Sequence, residues 1–436
     1  MKTLLTIFLL VLSLLGCYDI SGQETSVHTV RIVSWGGISA EKADTLYSLA
    51  KECGFDTHLG LYSTQEKALA SMDAAERTGI GIIINFPQLK DSTDAAVAMI
   101  KDHPALVAYH IKDEPVVADY QWLSGLCKKI ESIDTLHPCY VNLLPNWSWG
   151  VEEYRANIEG FASEFDLPFY SFDNYPVIEV DGATQIRPDW YRNLEEFSAM
   201  ARRHGKPFWA FALAKAHSIT EPQVAVYPEP TLGHLRLQVF SNLLYGAQAI
   251  QYFNFTGIVD PATCQKKSAF DLIKQVNSEI RAYSSVFAGC TVLGLWHIGE
   301  SIPNGTERLV EMPHKRVKSI SVTGRDECKS SRAEGVEGID EGISKESDGG
   351  AVVALIENAG KTYLAVQNRS CTHPAALDIR FRCRLPLSIA VVSIILQLTA
   401  QSATMASHSL SSPATSPSFV SNIKNSRLCL AKSHSI

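Results

Sequence analysis

Between residues 30 and 255 the chain alternates two patterns. Short runs of β-branched and aromatic residues give way to stretches whose apolar positions recur every third and fourth residue. The runs are TVRIVSWGG (29–37), FDTHLGLY (55–62), GIGIIINFP (79–87), ALVAYHIKDEP (105–115), HPCYVNLLPN (137–146), DLPFYSFDNYP (166–176), KPFWAFALA (206–214) and AIQYFNF (249–255). Between them lie amphipathic pieces such as AEKADTLYSLAKECG (40–54) and DWYRNLEEFSAMARRHG (189–205), each closed by a glycine of the kind that ends a helix. Eight strands with helices between them predict an α/β fold, a (β/α)8 TIM barrel. A doubly wound sheet is the structural alternative. It more often carries a glycine-rich phosphate loop after its first strand, and SWGGIS (34–39) is not one.

Past a connecting helix expected over 270–287 the pattern changes. CTVLGLWHIG, AVVALIENAGKTYLAVQNRS and ALDIRF read as strands with no helices between them, and ENAGKT reads as a hairpin turn. The expectation is a barrel over 28–288, then a small β-sandwich over 289–381 broken by a charged, glycine-rich insertion near 324–350. Residues 382–436 contain no Asp or Glu. They hold one apolar run and a serine-rich tail, read here as an atypical segment outside the selected fold, in the manner of out-of-frame translation.

Composition refines this picture only modestly. The chain is 46% hydrophobic, 19% charged and 9% aromatic, as a folded globular protein is. A net charge of −7 supplies no basic field, so nucleic acid is set aside as a partner. Ten cysteines show no C-x-x-C spacing, and those in apolar segments read as buried thiols. The first residues, MKTLLTIFLLVLSLLGC, join a lysine to an apolar stretch shorter than the roughly 20 residues of a membrane span. Their Leu-Leu-Gly-Cys ending resembles the lipobox of bacterial lipoproteins. That resemblance implies cleavage before Cys17, lipid attachment to its thiol, and a location on the cell envelope by a lipid anchor only.

In a barrel, chemistry collects where strands end and loops begin. Those positions hold Trp35, Asn85, Lys112, Asp113, Glu114, Asn142, Asn146, Trp147, Asp173, Tyr175, His217 and Asn254. Carboxylates, amides and aromatic rings around one mouth suit a carbohydrate, because rings stack on C–H faces and polar groups bond hydroxyls. Trp35, Asn85, Asp113, Asn142, Trp147, Tyr175, His217 and Asn254 are therefore expected to bind substrate. Glu114 follows an apolar strand and Pro115 cannot extend the ladder, so the glutamate is presented at the strand end. Desolvation and the neighbouring Asp113 both raise a carboxyl pKa, as a general acid requires, and Lys112 opposes them. Trp209 and Phe211 are assigned to barrel packing, and His110 to the core. No cofactor is implied, and no metal site is expected from the motifs.

The Asp-Glu-Pro of residues 113–115 resembles the Asn-Glu-Pro at the end of strand four in the large clan of retaining TIM-barrel glycoside hydrolases, β-galactosidases among them. The resemblance implies an acid/base role for Glu114; Asp113 departs from the clan's usual Asn. FDNYP resembles the clan's strand-six tyrosine position, giving Tyr175. HLRLQVFSNLLYGAQAIQYFNF (234–255) is similar to the helix leading into strand eight of β-galactosidase-like lipoproteins. The clan's nucleophile, a Glu at the end of strand seven, has no counterpart in KPFWAFALAKAHS (206–218). Two mechanisms stay open: inversion with Asp173 as base, or retention with Glu221 in the following loop as nucleophile. Two other readings compete: a catalytically inactive glycan-binding surface lipoprotein, and a metal-dependent hydrolase using Asp113, Asp173 and His217.

Overall fold

The computed structural model describes residues 29–180, 182–220, 225–299, 301–323 and 350–372, together with strand segments 376–381, 394–397, 422–424 and 427–429. Cys17, Glu221 and most of the insertion near 324–350 lie outside the described residues. Each of the eight apolar runs forms a strand: β1 (Arg31–Trp35), β2 (Thr57–Leu61), β3 (Gly81–Asn85), β4 (Leu106–Asp113), β5 (Cys139–Leu143), β6 (Tyr170–Phe172), β7 (Phe208–Leu213) and β8 (Ala249–Phe253). All pair in parallel, and β8 returns to β1 through Arg31–Trp35 against Ala249–Phe253, which closes the barrel. Burial on both faces is why these strands are written as continuous apolar runs rather than alternating ones.

The helices carry the local signals their sequences promise. Thr64 accepts a hydrogen bond from the Lys67 amide at the start of Gln65–Thr78, and Gly79 ends that helix at φ +68°. Gly54 and Gly205, which close the two amphipathic stretches quoted above, also sit at positive φ. The connecting segment splits into Ala269–Ala282 and a short turn of helix, Ser284–Phe287. No helix among the described residues is long and apolar enough to cross a membrane.

Inside the barrel, Val33, Leu59, Ile83, Ala108, Tyr140, Phe169, Trp209, Phe211 and Ala249 form one apolar cluster. Phe169 and Trp209 stack with centroids 3.8 Å apart and planes 3° from parallel. The packing role expected for Trp209 and Phe211 is the one they have. A polar layer lies above this cluster: Tyr140 donates to Gln251 (2.8 Å), Gln251 to Ser171 (2.8 Å), and Ser171 to Asn142 (2.9 Å).

The loops after β6 and β7 build a feature the sequence reading did not anticipate. Val177–Val180 and Ala183–Ile186 form a hairpin, joined by His217–Ile219 and Ala225–Tyr227 into a four-stranded antiparallel sheet. The loops after β7 and β8 touch as well: a Cβ on Gly257 would lie 2.3 Å from the Ala214 carbonyl oxygen, which only glycine avoids.

Beyond the barrel the chain forms two four-stranded antiparallel sheets. One contains Thr291–Ile298, Ala351–Asn358, Lys361–Asn368 and Ile394–Gln397; the other contains Val317–Thr323, Ala376–Phe381, Asn422–Lys424 and Arg427–Cys429. The expected hairpin turn is present, with Ala359 at φ +48° and Gly360 at +70°. Three short strands come from the segment after residue 381 that was read as standing outside the fold. Cys53, Cys127 and Cys139 are buried free thiols, as expected.

Removing the stacked indole tests how far the lower barrel depends on aromatic packing. Trp209→Ala is expected to lower unfolding free energy by about 3–5 kcal/mol, measured by urea denaturation. A loss under 1 kcal/mol would show that the site collapses around the deletion.

Candidate active site

The mouth of the barrel is organised by a local irregularity in β4. His110 pairs with Tyr140 and Lys112 with Val141, so Ile111 is an extra residue, a β-bulge. Ala108 and His110 face the interior, where Ala108 joins the inner cluster and His110 packs against Trp35. Strict alternation would then send Lys112 inward and Asp113 outward. The bulge reverses this and brings Asp113 to the mouth. Glu114 follows with φ +47°, the left-handed region that costs an L-residue roughly 1–2 kcal/mol. Its amide still donates to the Asn142 carbonyl at 2.8 Å, so the chain turns sharply while anchored to β5.

Three carboxyls meet here. The Asn142 side-chain amide donates to Asp113 Oδ1 at 3.2 Å and to Asp173 Oδ1 at 3.0 Å. Its orientation is set from beneath, because Ser171 donates to the Asn142 oxygen and leaves the NH₂ facing the acids. Asp173, buried at the end of β6, also accepts from the Tyr175 hydroxyl and lies within hydrogen-bonding reach of Glu114.

Electrostatics follow from this crowding. Asp113 and Glu114 remain accessible to solvent, yet the concave mouth surrounds them with protein atoms. That desolvation, reinforced by the Asp113 charge, pushes the Glu114 carboxyl up to about 7, although the bond to Asp173 favours ionisation. Asp173 is raised well above the usual carboxylate range by burial and by the charges of Glu114 and Asp113, against the bonds from Asn142 and Tyr175. Asp113 is raised by burial, with Asn142 and Lys112 opposing. Two carboxyls this close cannot both be charged at low cost, so each raises the other's pKa.

The remaining predicted positions divide into floor, brace and rim. Trp35 is buried beneath the mouth, edge-on to His110 and Phe211. Asn85 donates to the His110 carbonyl at 2.6 Å, bracing β4 just before its bulge. Asn254 accepts from Thr256 through its side-chain oxygen and caps the turn Phe255–Gly257. Tyr175 is buried with its ring edge-on to Phe211, Tyr227 and His217. His217 stacks on Tyr227 at 4.5 Å and 19°. Trp147, half-buried, lies under the Arg187 guanidinium at 4.8 Å. His110 is a core histidine, held neutral by burial with its pKa near 3, but both ring nitrogens are buried without a hydrogen-bond partner.

Sequence reasoning missed Arg187 and Tyr227. Arg187 is buried, donates to the Tyr227 hydroxyl at 2.9 Å, and lies over both the Tyr227 and Trp147 rings. A signal existed: Asp181-Gly182 between two short β-prone stretches marks the hairpin that carries Arg187 into place. Asp113, Asp173 and His217 do not gather at metal-ligand spacing. Among the described residues the one group that does is Asp73, Glu76 and His103, on the outer surface. A cavity of about 630 Å³, lined partly by Arg31, Lys206, Trp209 and Val292, opens at the opposite, N-terminal end of the barrel strands and includes none of the three mouth carboxyls.

No family model matches the chain, and no curated protein matches it. Solved structures with a similar chain course include a GH2 β-galacturonidase from Eisenbergiella tayi, at 13% identity and TM-score 0.39 over 57% of this chain. This chain spans 51% of that enzyme's length. A GH128 endo-β-1,3-glucanase from Pseudomonas viridiflava matches at 16% identity and TM-score 0.38, covering 56% of this chain and 97% of its own. A GH99 endo-α-mannosidase from Bacteroides thetaiotaomicron matches at 12% identity and TM-score 0.40, covering 58% and 98%. A tryptophan synthase from M. tuberculosis matches at 11% identity and TM-score 0.36, covering 59% and 94%. These are resemblances of chain course; the chemistry has to come from the residues at the mouth.

A carboxyl whose pKa rises on folding stabilises the protein in its protonated form, and that stability is lost as pH climbs through the folded value. For Glu114 the window runs from about 4.5 to about 7. Glu114→Gln is expected to remove this dependence, so the variant gains stability relative to wild type above pH 7 and not below pH 4.5. Urea unfolding at both ends of the window measures it, and parallel curves would show that Glu114 titrates normally.

Proposed function

We propose that the protein is a glycoside hydrolase acting on glycan oligosaccharides at the bacterial cell envelope, with Glu114 as its general acid. The observation that carries this reading is the position of Glu114. It stands at the C-terminal end of a barrel strand, solvent-accessible, with a carboxyl that retains a proton near neutral pH. A general acid must reach the leaving oxygen and still be protonated at the working pH, and the exposed strand-end position and raised pKa of Glu114 support that role. The amides and rings around it suit sugar hydroxyls and C–H faces. Trp147, Tyr175 and His217 are assigned to substrate contact, with Asn142 and Asp113 bonding hydroxyls. Trp35, Asn85 and Asn254 are assigned to the same sugar-binding surface as its floor and braces.

The domain reading proposed with this function is a catalytic barrel over 28–288 and a β-sandwich over 289–381. Lipidation at Cys17 would hold the enzyme on the envelope, its only tie to a membrane. A net charge of −7 argues against a nucleic-acid partner. Glu221, proposed as the nucleophile of a retaining mechanism, belongs to a loop outside the described residues. The second reading, a glycan-binding lipoprotein without catalysis, is favoured by one observation: β7 and the residues to Thr220 carry no carboxylate.

Hydrolysis of a panel of aryl glycosides and glycan oligomers by wild type and Glu114→Gln separates the two. The enzyme reading expects a loss of roughly 10²–10⁴-fold in kcat for the variant. It also expects wild-type kcat to fall as pH rises above about 7, where Glu114 gives up its proton. Wild-type inactivity across the panel, with sugar binding intact in both proteins, would favour the binding protein.

A further inference from the structure

Beside the mouth carboxyls stands a cation that acid chemistry leaves without a task. Arg187 is buried, with its guanidinium 4.8 Å from the Trp147 ring centroid and 5.7 Å from that of Tyr227. Of its three nitrogens, Nη2 donates to the Tyr227 hydroxyl at 2.9 Å. Nε is buried with no hydrogen-bond partner among the described residues, and so is Nε1 of the Trp147 ring beneath it. Nη1 bonds no described residue and is not sealed from solvent. Nor does Arg187 make an ion pair with any described carboxylate. Burial raises the Asp189 carboxyl and the Arg187 charge opposes that rise, but the two do not pair.

The register of the small antiparallel sheet separates this group from the segment that holds Glu221. Arg187 follows Ile186, which pairs with Val177, and Tyr227 lies toward that same end because Val226 pairs with Glu179. Thr220 and Ala225, the described residues that flank the segment, lie toward the opposite end, where Ile219 pairs with Ala225. The chain on either side of Glu221 is thus anchored away from Arg187. Toward the acids the connection is direct. The Tyr175 ring lies 6.0 Å from the Tyr227 ring and its hydroxyl donates to Asp173, so one continuous set of side chains joins Arg187 to the mouth. A buried cation with unused donors is costly, and an anion that bonds them offsets the cost.

We infer that the mouth takes glycans containing a uronic acid, and that Arg187 binds the sugar's carboxylate. This names a substrate class for the glycan site proposed above and rests on that reading. The faces of Trp147 and Tyr227 hold the guanidinium by cation–π attraction and leave its edge for a ligand. A carboxylate is planar, as the guanidinium is, and its two oxygens accept from donors on neighbouring groups. Asp113, Glu114 and Asp173 repel an anion, which directs the sugar's acid group to the end of the mouth where Arg187 stands. Tyr227 is a positioning residue: by accepting from Nη2 it fixes the direction of Nη1. A neutral sugar leaves the same donors unused.

The test pairs each acidic oligosaccharide with its own neutral form. Oligomers of polygalacturonan, glucuronoxylan and alginate are carboxyl-reduced to hexose units with the linkages kept, and calorimetry measures binding of both forms to the full chain. A neutral-backbone sulfated oligomer of carrageenan serves as the alternative anion. At least one acid form should bind wild type roughly 10–10²-fold more tightly than its reduced partner, as a hydrogen bond to a charged group does. Arg187→Gln should abolish that preference, and Tyr227→Phe, which keeps the cation but frees it, should weaken it. The wild-type comparison stands even where a variant does not fold. Equal affinity for every acid form and its reduced partner overturns the inference, as does tighter binding of the sulfated oligomer or a preference that survives in folded Arg187→Gln. Hydrolysis of the same oligomers is followed in parallel. Acid and reduced forms cleaved at equal rates, with equal affinity, leave the glycosidase reading standing while the uronic acid falls. An Arg187-dependent preference without cleavage keeps the uronic acid and removes catalysis, and no binding of any oligomer removes both.

Discussion

The side-chain amide of Asn142 is the point on which the mouth depends. One NH₂ group donates to two carboxylates that would otherwise repel each other, and it can do so only in one of its two orientations. That orientation is fixed several ångströms below by the chain from Tyr140 to Gln251 to Ser171, each donating to the next. The residues involved come from β5, β6 and β8, so closure of the barrel is what completes the chain. A local error anywhere in those three strands would reach the acids through this one amide. Burial strengthens each bond in such a chain, and it makes an unpaired member correspondingly expensive.

A second buried chain ties the barrel to the sheet that follows it and obeys the same logic. The Arg369 guanidinium, which can only donate, faces His297 Nδ1 at 3.2 Å. Neutral His297 therefore carries its proton on Nε2 and donates to the Tyr245 hydroxyl at 3.0 Å, which donates to Glu195 at 2.9 Å. A donor-only group at one end and a carboxylate at the other leave one direction for every hydrogen. Gln367 adds bonds to the carbonyls of Arg236 and Leu237. The sheet is thus joined to the barrel helices by directional contacts as well as apolar area.

The barrel was legible in the sequence because strands buried on both faces leave unbroken apolar runs, and eight of them stand out against amphipathic helices. Glu114 was legible for a related reason: Pro115 ends a ladder, and what precedes it is displayed. Asn142 and Asp173 were readable as strand-end polar residues. Their distances were not, because these depend on the extra residue at Ile111 and on the φ of Glu114, neither of which leaves a mark in a pattern of apolar and polar letters. Arg187 and Tyr227 were hidden for another reason. They reach the mouth through a small sheet assembled from two loops far apart in sequence, and pairing of that kind is written in register rather than composition. Asn85 and Asn254 stand at strand ends, where their side chains brace the backbone of the mouth, while Trp35 packs beneath it.

Glu114 holds a conformation that glycine would adopt freely, and it precedes a proline, which further disfavours helical and turned backbones at that position. Chain geometry and side-chain chemistry therefore pull this position in opposite directions. Drift without selection on the carboxyl would carry it toward glycine, since the change relaxes the backbone and removes a crowded charge in one step. A lineage that ceased to need the acid would discard it early, while the barrel around it remained intact. The identity of residue 114 is thus a sensitive record of whether the site is in use.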